Sequence, residues 1–109
     1  MAAMSVSDLI DMSRLEASAA RAAGLLKAMS NERRLMILCR LGDEECQVGA
    51  LQTAVGLSQS ALSQHLALLR EDGLVVARRQ GVTMHYVVAD PAVERVIALL
   101  AELYCPPET

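Results

Sequence analysis

The side chains with the sharpest chemistry in this chain are three thiols, Cys39, Cys46 and Cys105, and two imidazoles, His65 and His85. A thiolate attacks sulfur, oxidants and soft metals, and it does so only where charge and exposure favour it. Cys39 falls on an apolar helical stripe, where an inert, buried thiol is an ordinary packing residue. Cys105 stands at a helix end beside Pro106 and Pro107, and Cys46 sits in a polar connection read as a loop, exposed or free to compete for oxidants. A bridge of several sulfur atoms joins thiols that lie too far apart for the fixed geometry of a single disulfide. Packing cysteines and a redox pair therefore both remain open. A zinc site asks for about four converging nitrogen or sulfur ligands, and the two histidines sit among residues read below as facing DNA or a hairpin. No metal or cofactor is expected. No paired carboxylates, no nucleophile with a placed base and no phosphate-cradling glycine loop is apparent, so an enzyme is not expected either.

A second group of side chains is suited to reading a duplex. Gln59, Ser60, Ser63 and Gln64 share one polar helical face, and their amides and hydroxyls both donate and accept hydrogen bonds at base edges. Ser58, with the free N–H groups at that helix start, suits a phosphate. His65 borders the face within reach of the backbone, and Arg70 lies further along it. Arg78, Arg79 and Gln80 follow at the tip of a hairpin, where basic side chains meet the minor groove or the adjacent phosphates.

These groups must be positioned by the surrounding elements. Leu9, Met12, Leu15, Ala19, Ala22 and Leu26 recur at spacings of three and four, which predicts one helix over 8–29 with Ser7 as N-cap. Asn31 caps a second helix with a stripe of Leu35, Leu38, Cys39 and Leu41, stopped by Gly42-Asp43. Val48, Leu51, Gln52 and Val55 predict two turns ending at Gly56, and Gly56-Leu57-Ser58 predicts a turn. Ser58 then caps a helix running to about Asp72, with Leu62, Leu66 and Leu69 inward. Leu74 to Arg79 and Val82 to Val88 flank Gln80-Gly81 as a hairpin. Asp90 caps a last helix with Pro91 at its first position and Val93, Val96, Ile97, Leu100 and Tyr104 in register; Pro106-Pro107 stops it. The expected fold is mainly α with a small β-hairpin. It is one winged helix-turn-helix domain over 1–109, with the helix-turn-helix at about 47–72, the wing at about 74–89 and extra terminal helices at about 8–29 and 91–105.

The totals agree with a single domain. Of the 109 residues, 53% are hydrophobic but only 2% aromatic, so the core is built from aliphatic side chains. No apolar stretch reaches the roughly 18 residues of a membrane span, and no leader pattern precedes the first helix. A cytoplasmic chain with reduced thiols is the expectation, without a membrane partner. The net charge of -3 weighs against nucleic acid, favouring instead a protein-interaction module of the same shape. Its distribution weighs the other way: Lys27 to His85 holds seven basic against six acidic residues, and the ends hold three against seven.

The runs Leu26-Lys27-Ala28-Met29-Ser30-Asn31-Glu32-Arg33-Arg34-Leu35, Leu57-Ser58-Gln59-Ser60-Ala61-Leu62-Ser63-Gln64-His65-Leu66 and Leu69-Arg70-Glu71-Asp72-Gly73-Leu74-Val75 resemble the ArsR/SmtB bacterial repressors across nearly the whole chain. The resemblance implies a homodimer joined through its first and last helices and bound to a double-stranded operator of imperfect two-fold symmetry. That family's metal site on the third helix would fall at Gln47 and Gly49, neither of which binds a soft metal, and its last-helix site needs histidines that 91–105 lacks. The segments Leu35-Met36-Ile37-Leu38-Cys39 and Leu103-Tyr104-Cys105 instead look like its persulfide- and redox-responsive branch. There the resemblance implies that reactive sulfur species, as inducer, link the thiols matching Cys39 and Cys105 and lower operator affinity. A metal-responsive or constitutive regulator and an anti-silencing activator are the alternatives of the same fold.

Overall fold

The computed structural model describes residues 5–105. The elements run α1 (Val6–Leu9), α2 (Met12–Met29), α3 (Glu32–Leu41), β1 (Cys46–Gln47), α4 (Val48–Val55), α5 (Gln59–Glu71), β2 (Val75–Gln80), β3 (Thr83–Val88) and α6 (Pro91–Tyr104). The proline pair expected to stop the last helix lies outside the described residues, and Cys105 is the C-cap.

Side-chain caps set most helix starts. Asn31 accepts from the N–H groups of Arg33 and Arg34, Ser58 from Ala61, and Asp90 from Ala92, so orphan donors of α3, α5 and α6 are satisfied locally. The expected single N-terminal helix is two. Ser5, not Ser7, opens α1 through a reciprocal capping box with Asp8. Ile10 then turns extended, and Asp11 restarts the helix by accepting from the N–H groups of Ser13 and Arg14. A short acidic side chain that satisfies two backbone donors at a helix start competes with continuing the previous turn.

The core is one aliphatic cluster. Ile37, Leu38 and Leu41 of α3, Leu51 and Val55 of α4, Leu62, Leu66 and Leu69 of α5, Val75 of β2 and Val93 and Ile97 of α6 are all buried in it. Helix α3 is its hub, packing on α4, α5, α6 and β3. Ile37 takes the inward position that the spacing gave to Cys39, whose side chain lies off the buried stripe and is exposed.

The wing is larger than a hairpin. Strand β3 pairs antiparallel with β2 on one side and with the two-residue β1 on the other, Cys46 opposite Tyr86 and Gln47 opposite His85. The turn is Gly81-Val82, one residue later than expected, since Gln80 pairs with Thr83. Gly81 adopts φ 64°, a conformation that a side chain resists and a tight hairpin requires.

Helix α2 is only lightly attached. Its apolar stripe is uncovered: Met12 and Leu26 are 69% and 58% exposed, and burial is confined to Ala28 and Met29 at its last turn. Helix α6 likewise buries Val93 and Ile97 but leaves Leu99, Leu103 and Tyr104 outside. The radius of gyration, 16.2 Å, exceeds the roughly 13 Å of a self-contained chain of this length.

Candidate functional site

Helices α4 and α5 are joined by Gly56-Leu57-Ser58, with Gly56 in the left-handed region at φ 68° and its N–H donating to the Gln52 carbonyl. That conformation ends α4 within one residue and lets α5 leave in a new direction. Leu62, Leu66 and Leu69 fix α5 to the core, so the opposite side of the helix faces solvent. Gln59, Ser60, Ser63, Gln64 and Arg70 are all exposed there. At its N-terminus the Ser58 hydroxyl oxygen accepts from Ala61 N–H at 3.2 Å, which leaves its own proton free for an anion. His65 is half-buried, with Nδ1 buried and unpaired among the described residues, so the ring sits at the edge of this face and leans inward.

The wing presents the second basic surface. Its polar face is the row Arg78, His85 and Gln47, directly opposite one another across the three strands, while the Ala77, Tyr86 and Cys46 row faces inward. Arg79 and Gln80 are exposed near the tip, and Val82 at the turn is 94% exposed. Arg78 is not free. Its Nε and Nη2 donate to the two carboxylate oxygens of Glu45 at 2.8 and 2.9 Å, and Nη2 also reaches Gln80 Oε1 at 3.4 Å. The guanidinium, with His85 beside it, holds the Glu45 carboxyl below its usual range. Glu45 had no assigned role in the sequence reading; nothing local announces a partner 33 residues away.

The three cysteines separate. Cys46 is buried in β1, its Sγ 3.6 Å from the Gln47 carbonyl oxygen, so the loop thiol expected to meet oxidants is a strand thiol shielded by the sheet. Cys39 and Cys105 are both exposed, on the packed helices α3 and α6. Partial burial pushes the Cys39 thiol up, and the neighbouring charge of Cys105 pushes it further. Both causes disfavour the Cys39 thiolate, and the second places Cys105 within electrostatic reach of it. No group of three or more His, Cys, Asp or Glu side chains is gathered as a metal site among the described residues. Among those residues, no helix is long and apolar enough to cross a membrane.

Comparison with known proteins agrees with this arrangement. Residues 31–76, from the α3 cap to the start of the wing, match the model of the bacterial regulatory protein arsR family. The chain is 51% identical to the transcriptional activator HlyU of Vibrio cholerae over 88% of its own length and 89% of that protein. It superposes on the solved reduced form of V. cholerae HlyU with a TM-score of 0.82 at 52% identity, covering 86% of this chain and 99% of that one. The transcriptional repressor BigR of Xylella fastidiosa gives 0.83 at 33% identity, with 88% and 98% covered. A homodimeric winged helix-turn-helix DNA-binding domain from Mycobacterium bovis gives 0.71 at 36%, with 94% and 89% covered.

Proposed function

The chain belongs to the arsR family of bacterial regulatory proteins, and on that footing we propose that it is a homodimeric, sequence-specific transcriptional repressor that leaves its operator when reactive sulfur species or oxidants link Cys39 to Cys105. Helix α5 lies in the major groove, with Gln59, Ser60, Ser63 and Gln64 at base edges. Ser58, His65, Arg70, Arg78, Arg79 and Gln80 meet the backbone or the minor groove. The uncovered apolar faces of α2 and α6 belong to the subunit interface, in keeping with the homodimeric M. bovis relative. The protein works in the cytoplasm.

The observation that carries the switch is that both thiols are exposed at helices α3 and α6, which pack on one another, with Cys105 near enough to influence the Cys39 thiol. Chemically, one thiolate attacks a terminal sulfur of an inorganic polysulfide, the polysulfide shortened by that one sulfur leaves as its anion, and a protein persulfide remains. The second thiolate then attacks the inner sulfur, hydrosulfide leaves, and a disulfide forms. If a further polysulfide S–S bond takes up the two electrons instead, the extra sulfur stays in the bridge. A link between α3, which packs on both reading-head helices, and α6, which carries the subunit interface, changes the angle between reading heads and dimer. HlyU is named an activator and BigR a repressor; where binding displaces a silencer the bound protein activates, and the same release from DNA then ends activation.

The test uses a duplex that the reduced protein itself selects from a random pool. Reduced protein is expected to bind a two-fold symmetric sequence with strong salt dependence. Inorganic polysulfide is expected to lower that affinity at least about tenfold, within the usual range of coupling between sites, whereas zinc leaves it unchanged. Equal affinity before and after polysulfide overturns the switch; failure to select any duplex overturns the DNA reading.

A further inference from the structure

We propose that Glu45 is a positioning residue for DNA binding, aiming the Arg78 guanidinium at a backbone phosphate. The inference rests on the DNA reading above and adds to it an acidic residue that simple charge counting assigns to the opposing side.

The geometry is that of a buttress. Arg78 donates through Nε and Nη2 to both oxygens of Glu45, and Nη2 also contacts the Gln80 side chain, so the plane of the guanidinium is fixed from two sides. Both protons of Nη1 remain without a partner among the described residues, and the Arg78 side chain is 56% exposed. The strand register sets the anchor points: Arg78 faces His85 and His85 faces Gln47, with Glu45 two residues before Gln47 on the same polar face. The neighbours keep this face in order. Thr83 donates its hydroxyl proton to the Gln80 carbonyl at 2.8 Å and therefore accepts at 3.2 Å from His85 Nε2, which fixes the ring beside the carboxylate.

Two opposing effects decide the sign. A free arginine gives up much of its rotamer freedom on binding a phosphate, and a carboxylate that has already fixed it removes that loss, a gain on the order of tenfold in affinity. The same carboxylate repels the phosphate across the guanidinium, but at about 7 Å in water this is less than about threefold and salt reduces it further. Orientation wins, so Glu45 strengthens binding despite its charge.

The experiment measures Kd for the self-selected duplex at several salt concentrations, with E45Q, R78A and the double variant, each checked by circular dichroism for an unchanged fold. E45Q is expected to weaken wild-type binding about tenfold. In the R78A background E45Q is expected to change nothing, because there is no guanidinium left to aim. R78A alone is expected to weaken binding and flatten the salt dependence by about one phosphate per subunit. Tighter or unchanged binding by E45Q overturns the inference, since Glu45 then acts as a screening charge. So does an E45Q loss that persists in R78A, or an R78A protein that binds as wild type. A wild-type chain that selects no duplex at all defeats the DNA reading itself, a result separable from the others.

Discussion

Replacing Cys39 or Cys105 by serine is expected to leave the reduced protein bound to its operator within about twofold of wild type and to abolish the polysulfide response, which in wild type is at least about tenfold. Both thiols are exposed, so neither substitution removes a buried contact from the core. Either substitution removes one end of the bridge, and a persulfide formed on the other cysteine alone cannot tie α3 to α6. Cys46→Ala is the informative control. That thiol is buried in β1 and costs some stability when truncated, yet the polysulfide response is expected to persist in full. If all three variants retain the response, or if only Cys46→Ala loses it, the switch lies elsewhere. Operator binding at fixed salt, with and without polysulfide, decides among these cases.

The other large effect concerns recognition. Changing Gln59, Ser60, Ser63 and Gln64 together to alanine is expected to reduce affinity for the selected duplex at least about a hundredfold, because each good base contact contributes about 1–3 kcal/mol and a dimer makes the set twice. The four side chains are exposed on α5, and alanine favours helix at least as well as glutamine or serine, so the fold is not weakened. None of them is charged. The slope of log affinity against log salt is therefore expected to stay near the wild-type value while affinity approaches that for unrelated DNA. A quadruple variant that still discriminates the selected duplex from unrelated DNA would place recognition outside this face.

The parts legible in the sequence were those fixed by local chemistry. Asn31, Ser58 and Asp90 each satisfy backbone donors two or three residues away, and Gly56 supplies the left-handed residue that closes α4, so these boundaries are written in neighbouring residues. Leu62, Leu66 and Leu69 read correctly as the inner side of α5 for the same reason. The break at Ile10 was hidden because Leu9, Met12 and Leu15 keep helical spacing across it, although Ser5 followed by Asp8 was a capping signal that could have revealed it. Strand β1 was beyond local reading: two residues show no alternation, and Cys46 is a strand residue only because Tyr86 and His85 of β3 come alongside. The same distance in sequence concealed Glu45 as the partner of Arg78.

The two uncovered apolar faces carry a different lesson. The α2 stripe was correctly periodic, yet the chain does not bury it. Periodicity tells which side of a helix is apolar without telling what covers it. Leu26, Leu99 and Leu103 lie outside the single-chain core, and a second subunit supplies the missing cover in the proposed dimer. This division of labour places the thiols between two tasks: α3 supports α4 and α5, while α6 reaches outward.

Peptide mass spectrometry of the native protein after polysulfide treatment bears most directly on the thiol switch. One linked peptide pair is expected, Cys39 to Cys105 within one subunit, with one or more extra sulfur atoms permitted in the bridge and Cys46 recovered unmodified. Recovery of Cys39 and Cys105 only as separate persulfides, or of a bridge that involves Cys46, would rule out the proposed link and leave the DNA-binding surface to stand alone.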